Sequence, residues 1–146
     1  MTPTRILPDL QCSLLCEEVR QEINGNFFLL GIIDVVRVPH LPVTASRLGL
    51  FNRWTSGVGV FTESVRLLAP DQTTVLSKIE TKFQMKSTNH TATTISWFIN
   101  VELKTAGPYS IEVLVDDIMK VRYPMNVIHL PQPAPGQGGA PTPPPA

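Results

Sequence analysis

Hydrophobic and polar residues alternate along much of this chain, most clearly across residues 107–127. In the first half of that stretch, apolar residues occupy every second position: Tyr109, Ile111, Val113 and Val115. A period of two predicts a β-strand. The pair Asp116 and Asp117 then predicts a tight turn into a second extended run. Because a lone hairpin cannot bury its own apolar side, the pattern also predicts a partner sheet elsewhere in the chain.

Five other segments carry strand patterns and could supply that sheet. Alternating apolar positions mark residues 48–54, 60–68, 75–85 and 95–103. Residues 27–38 instead form a nearly continuous apolar run rich in β-branched side chains, which is typical of a strand covered on both faces.

Residues 11–22 fit two templates. Cys12, Leu14 and Cys16 alternate as in a strand, whereas Leu15 and Val19 recur with helical spacing. The following Asn24-Gly25 pair favours the strand, because it tolerates the positive φ angles of a type I′ hairpin turn.

Counting the segments gives about eight strands joined by short turns, with few or no helices. The sequence therefore predicts an all-β fold, specifically a two-sheet antiparallel β-sandwich of the Ig-like or C2-like kind, with a barrel as the alternative. We expect an arm at residues 1–8, the sandwich at residues 9–130, and a disordered Pro/Gly-rich tail at residues 131–146.

A set of short motifs carries a family resemblance. These are the run Cys16-Glu17-Glu18-Val19-Arg20, the Asn24-Gly25 turn, Gly31, the VPHLP connection at residues 38–42 and the closing GPYSIEVLVDD. Across residues 9–128 the chain resembles a family of small uncharacterised bacterial proteins, carried as a domain of unknown function. The resemblance implies a compact β-rich domain and brings no established activity, cofactor or catalytic residue.

Charge and hydropathy argue against several classes of partner. Lysine plus arginine and aspartate plus glutamate number 12 each, so we expect no nucleic-acid partner and no anionic membrane surface. No apolar stretch approaches the ~20 residues that span a bilayer, and the first residues do not form a signal peptide. These features predict a cytoplasmic protein.

The residues that most often bind metals or act as nucleophiles are scattered. Cys12 and Cys16 would lie about 13 Å apart on one strand, so they are expected to be free, buried core thiols. They form no zinc-type ligand pair with the three histidines, which are His40, His90 and His129. We therefore predict no metal, cofactor or catalytic residue.

Charged residues cluster near the end of the first strand, at Glu17, Glu18, Arg20 and Glu22. The simplest interpretation is an exposed strand face with cross-strand ion pairs. The alternative is an enzyme of unrecognised type, in which two carboxylates beside an arginine supply a general acid.

Aromatic and basic residues interleave at Phe51, Arg53 and Trp54, an arrangement that can stack on bases or sugars. Phe98 interrupts a polar strand face and is expected to be exposed. The leading hypothesis is a non-enzymatic β-sandwich that binds a protein partner or self-associates, through a strand edge or the Phe98 side. The alternative is a small-molecule or carbohydrate-binding domain that uses Phe51, Arg53 and Trp54.

Overall fold

A computed structural model describes residues 5–131. Within this range the chain forms nine β-strands and no helix. Their bounds are β1 Asp9–Gln21, β2 Phe27–Ile32, β3 Val35–Val38, β4 Val43–Thr55, β5 Gly59–Leu68, β6 Val75–Met85, β7 Thr91–Leu103, β8 Gly107–Val115 and β9 Ile118–His129. Apart from Pro131, the predicted tail lies outside the described residues.

The strands form two sheets, which confirms the predicted sandwich. One sheet has the order β2-β1-β4-β7 and the other β3-β9-β8-β5-β6. All hydrogen-bonded neighbours are antiparallel except β3 and β9, which run parallel. The ninth strand arises because the predicted strand at residues 27–38 is broken at Ile33 and Asp34. Its first half joins one sheet as β2, and its second half joins the other as β3.

The hairpin formed by β8 and β9 matches its prediction. Tyr109, Ile111, Val113 and Val115 are buried in the core. Asp116 and Asp117 connect the strands with φ angles of 47° and 67°, the positive values of a type I′ turn. The Tyr109 hydroxyl also donates a hydrogen bond of 2.8 Å to the Thr105 carbonyl, which anchors the start of β8.

Residues 11–21 belong to strand β1, so the strand alternative favoured by the Asn24-Gly25 turn is correct. Asn24 and Gly25 lie in the turn between β1 and β2, and Gly25 has a φ angle of 94°. The inner side of β1 also bridges the two sheets, because Ser13 Oγ lies 2.9 Å from the Tyr123 hydroxyl. Burial raises the pKa of Tyr123 to about 12, against the opposing effect of this hydrogen bond.

The prediction that Phe98 is exposed is wrong, and the backbone of β7 explains why. Asn100 adopts a φ angle of 52°, which interrupts the strict alternation of sides along the strand. Phe98, before Asn100, and Val101, after it, both face the core. Trp97 and Ile99 consequently point away from the core, although their spacing from Val101 predicted the opposite.

Candidate functional site

The four-stranded sheet has one side in the core and one side that faces away from it. Leu15, Leu50 and Phe98 belong to the core cluster and define the inner side of β1, β4 and β7. Successive side chains of a strand point to opposite sides of the sheet. The strand register therefore assigns their neighbours Cys16, Gly49 and Trp97 to the outer side.

Cross-strand pairs extend this outer side over all four strands. Cys16 pairs with both Ile32 and Gly49, and Gly49 pairs with Trp97. Arg47 pairs with Ile99 in the next row. Gly31 has a φ angle of 66° and interrupts the alternation of sides along β2, as Asn100 does in β7. The Phe27 ring lies 5.7 Å from the Phe51 ring between centroids, so Phe27 faces this side of the sheet. We call the apolar part of this surface the outer apolar face, which consists of Leu14, Phe27, Ile32, Phe51, Ile95, Trp97 and Ile99.

Several side chains of the outer apolar face are open to solvent. Their exposed fractions are Leu14 36%, Ile32 58% and Ile99 55%. A single exposed leucine or isoleucine is ordinary on a protein surface, whereas a contiguous group indicates a place where something binds. The grouping across β2, β1 and β7 makes this face the candidate functional site.

Trp97 is held at the centre of the face by two neighbours. The Arg47 guanidinium carbon lies 4.4 Å from the Trp97 ring centroid, a cation–π geometry. Arg47 Nη2 also donates a 2.6 Å hydrogen bond to the Glu18 carboxylate. Beneath the ring lies Gly49, where an added Cβ atom would come within 2.7 Å of Trp97 Cζ3. Gly49 is therefore required for the ring to lie across the strand.

The four predicted surface residues divide between the two sides of the sheet. Phe51 and Arg53 are on the outer side, where the Arg53 guanidinium carbon lies 5.6 Å from the Phe51 ring centroid. Trp54 and Phe98 have no exposed surface and face the core. The proposed Phe51, Arg53 and Trp54 ligand site is thus not assembled, because alternation turns Trp54 inward.

Trp54 is a hydrogen-bond donor to a buried carboxylate, Glu63, which the sequence analysis did not identify. Its Nε1 donates a 2.6 Å hydrogen bond to Oε2 of Glu63, which is fully buried on β5. A signal was available, since Glu63 shares the alternating phase of Phe61, Val65 and Leu67, all of which face the core. An acidic residue at an apolar strand position indicates a buried polar partner set.

The residues of the predicted charge cluster do not all lie on one side of strand β1. Glu18 lies on the outer side and pairs with Arg47, as expected for a cross-strand ion pair. Glu17 instead lies beside Gly31, where an added Cβ atom would be 2.7 Å from Glu17 Oε2. The two carboxylates therefore do not converge on one reacting position.

Cys12 and Cys16 are free thiols, half-buried and buried respectively. The register places both on the outer side of β1, and Cys16 is fully buried there, so the prediction of a free, buried thiol is confirmed for Cys16. Burial, together with the nearby Glu18 carboxylate, raises the pKa of Cys16, and its thiol points to the Gly49 carbonyl at 3.6 Å. This environment keeps the thiol protonated and unreactive.

Metal binding finds no support between residues 5 and 131, where no group of three or more His, Cys, Asp or Glu side chains is arranged to hold an ion. Glu80, Asp116 and Asp117 line a shallow depression of about 340 Å³ without forming such a group. Asp116 is already engaged, because it accepts hydrogen bonds from the Thr62 backbone and from Arg5. The Thr62 amide is the main cause that lowers the pKa of Asp116.

Comparison with known proteins places the chain in a family. Residues 11–128 match the model of a family of unknown function (DUF6941), and the chain belongs to that family. No curated protein sequence matches it. The described residues contain no helix long and apolar enough to cross a membrane.

Proposed function

We propose that this domain is a non-enzymatic assembly module that self-associates through the outer apolar face. The observation that carries the proposal is a set of exposed apolar side chains on the outer side of one sheet, Ile32 on β2, Leu14 on β1 and Ile99 on β7. Removing apolar surface from water contributes about 25 cal/mol per Å². Burying the outer apolar face against a partner would therefore be favourable.

The chemistry of the face supports binding to protein rather than catalysis. Its central charges are already neutralised, since Glu18 and Arg47 pair with each other and Arg47 also lies over Trp97. Tryptophan and arginine near the centre of an apolar patch are the residue types that contribute most to protein interfaces. Trp97 and Arg47 would be the central anchors, with Leu14, Ile32 and Ile99 around them.

A second copy of the chain is the partner that fits the shape and size of the face. A flat apolar sheet packs well against another sheet at about 10 Å, as the two sheets of a sandwich do. Four strands spaced about 4.8 Å apart, over about eight residues of about 3.3 Å, give a footprint of roughly 500 Å². Two such footprints bury roughly 1,000 Å² in total, the lower limit for a specific interface. The expected product is a weak, concentration-dependent dimer.

A pair of matched variants tests the proposal. Ile32 is 58% exposed on the outer apolar face, and Ile118 is 50% exposed at the β8–β9 turn of the other sheet. Ile32→Glu would place a charge inside the dimer interface, whereas Ile118→Glu adds the same charge outside it. In sedimentation-velocity experiments, we expect Ile32→Glu to abolish the dimer and Ile118→Glu to leave it intact. Equal effects of the two variants would contradict the proposal.

A further inference from the structure

Glu63 is a carboxylate enclosed between the two sheets. It lies on β5 and has no exposed surface. Its Oε2 atom accepts three hydrogen bonds from the opposite sheet, from Thr94 Oγ1 at 2.5 Å, Trp54 Nε1 at 2.6 Å and Asn52 Nδ2 at 3.2 Å. One carboxylate oxygen thus joins β5 to both β4 and β7.

The second carboxylate oxygen of Glu63, Oε1, has a different hydrogen-bonding environment. Oε1 is buried and has no hydrogen-bond partner among residues 5–131, and the same holds for Asn52 Oδ1 and Ser96 Oγ. Buried polar atoms are nearly always paired, because a buried acceptor without a donor keeps the full cost of its lost hydration. Three such atoms in one region of a core point to a bound group that supplies donors.

The three atoms belong to neighbouring side chains. Asn52 Oδ1 and Glu63 Oε1 are the second atoms of two groups that already bond each other through Nδ2 and Oε2. Ser96 is the next inward position on β7 after Thr94, which binds the same carboxylate. The side chains of Asn52, Glu63 and Ser96 are therefore neighbours in the space between the two sheets.

We infer that this space binds one ordered water molecule. A water can donate to Glu63 Oε1 and to Asn52 Oδ1, and the Ser96 hydroxyl can donate to the water oxygen. That makes three hydrogen bonds, the usual number for a buried water. A calcium ion takes about six to eight oxygen ligands, and one carboxylate oxygen, one amide oxygen and one hydroxyl fall well short of that set.

The bound water extends the contacts between the sheets. It adds Ser96 of β7 to the Glu63 network, so that the alignment of β5 over β4 and β7 depends on four side chains rather than three. The outer apolar face lies on the opposite side of β4 and β7. The water site is therefore independent of the proposed self-association and is tested separately.

A high-resolution crystal structure of the wild-type chain tests the site directly. We expect a single density peak within about 2.7–3.2 Å of Glu63 Oε1 and Asn52 Oδ1, with Ser96 Oγ as the third neighbour. Ser96→Ala should weaken or remove the peak. An empty site in the wild type would overturn the inference, and so would a peak with the density and six or more ligands of a metal ion.

Denaturant unfolding provides a second test in solution. If one water joins Ser96 to Glu63, then Ser96→Ala and Glu63→Gln should shift the unfolding midpoint non-additively when they are combined. Ser64→Ala is the matched control, because Ser64 is about as buried on the other side of β5, 5% exposed against 3% for Ser96. We expect it to be additive with Glu63→Gln. Additivity of Ser96→Ala and Glu63→Gln would overturn the shared water.

Discussion

Arg47 holds Trp97 from above, with its guanidinium carbon 4.4 Å from the ring centroid, while Gly49 leaves room for the ring below. The ring therefore has one preferred place on the sheet instead of swinging freely in solvent. A rigid aromatic side chain loses little conformational entropy when a partner covers it. This arrangement is why we regard Trp97 as the centre of the outer apolar face.

Gly49→Ala should displace Trp97. The new methyl group would lie 2.7 Å from Trp97 Cζ3 and 3.3 Å from the Cys16 carbonyl oxygen, so the ring has to move away from the strand. We expect greater quenching of tryptophan fluorescence by acrylamide. The other tryptophan, Trp54, has no exposed surface, so the change reports Trp97.

A second pair of variants tests whether the effect of Gly49→Ala comes from its contact with Trp97. In a Trp97→Leu background the ring is gone, and Gly49→Ala should cost less stability than it does in the wild type. Unchanged quenching in Gly49→Ala, together with equal costs in the two backgrounds, would show that the ring does not rest on Gly49.

Trp54→Phe should destabilise the fold through Glu63. The substitution removes the Nε1 donor that lies 2.6 Å from Glu63 Oε2 and leaves a buried carboxylate less well satisfied. Losing one partner of a buried hydrogen bond costs about 1–3 kcal/mol. Urea unfolding measures the cost, with Trp97→Phe as the control on the outer side of the sheet. The interpretation fails if Trp97→Phe costs as much as Trp54→Phe.

The turn before β6 should show an acid-dependent contribution to stability. Asp71 Oδ1 accepts hydrogen bonds from the Thr73 and Thr74 amides, and Thr74 Oγ1 donates to Oδ2. The Thr74 side chain is the main cause that lowers the pKa of Asp71 from 3.8 to about 2. Because the folded pKa is lowered, this stabilisation is complete above pH 3.8 and is lost as the pH falls through about 2.

A carboxyl NMR titration measures that pKa. Thr74→Val removes the hydroxyl donor and should move the Asp71 midpoint up toward 3.8, whereas Thr88→Val, in the next turn, should leave it unchanged. A wild-type midpoint near 3.8 would show that the turn does not hold the ionised carboxylate.

The fold was largely predictable because strand alternation and turn residues are local signals. Alternating Tyr109 to Val115, followed by Asp116-Asp117, determined the hairpin and its inward side. The split of residues 27–38 between two sheets was not predictable, because the partner of Val35–Val38 is β9, about 90 residues later in the chain. No local pattern reports a partner at that distance.

The candidate site was less predictable because the sides of β7 depend on one backbone angle. The positive φ of Asn100 reverses the sides predicted for Trp97 and Phe98. The sequence placed Phe51 and Arg53 in a possible binding surface, and both lie on the outer side of the sheet. It could not show that Ile32 joins them there, because that depends on how β2 pairs with β1.

The central claim is that two copies of this chain associate through the outer apolar face. Light scattering coupled to size-exclusion chromatography, over a wide range of loading concentrations, measures it most directly. We predict a mass that rises from one toward two chains for the wild type and for Ile118→Glu, and a mass that stays at one chain for Ile32→Glu. A wild-type mass of one chain at every concentration would contradict self-association.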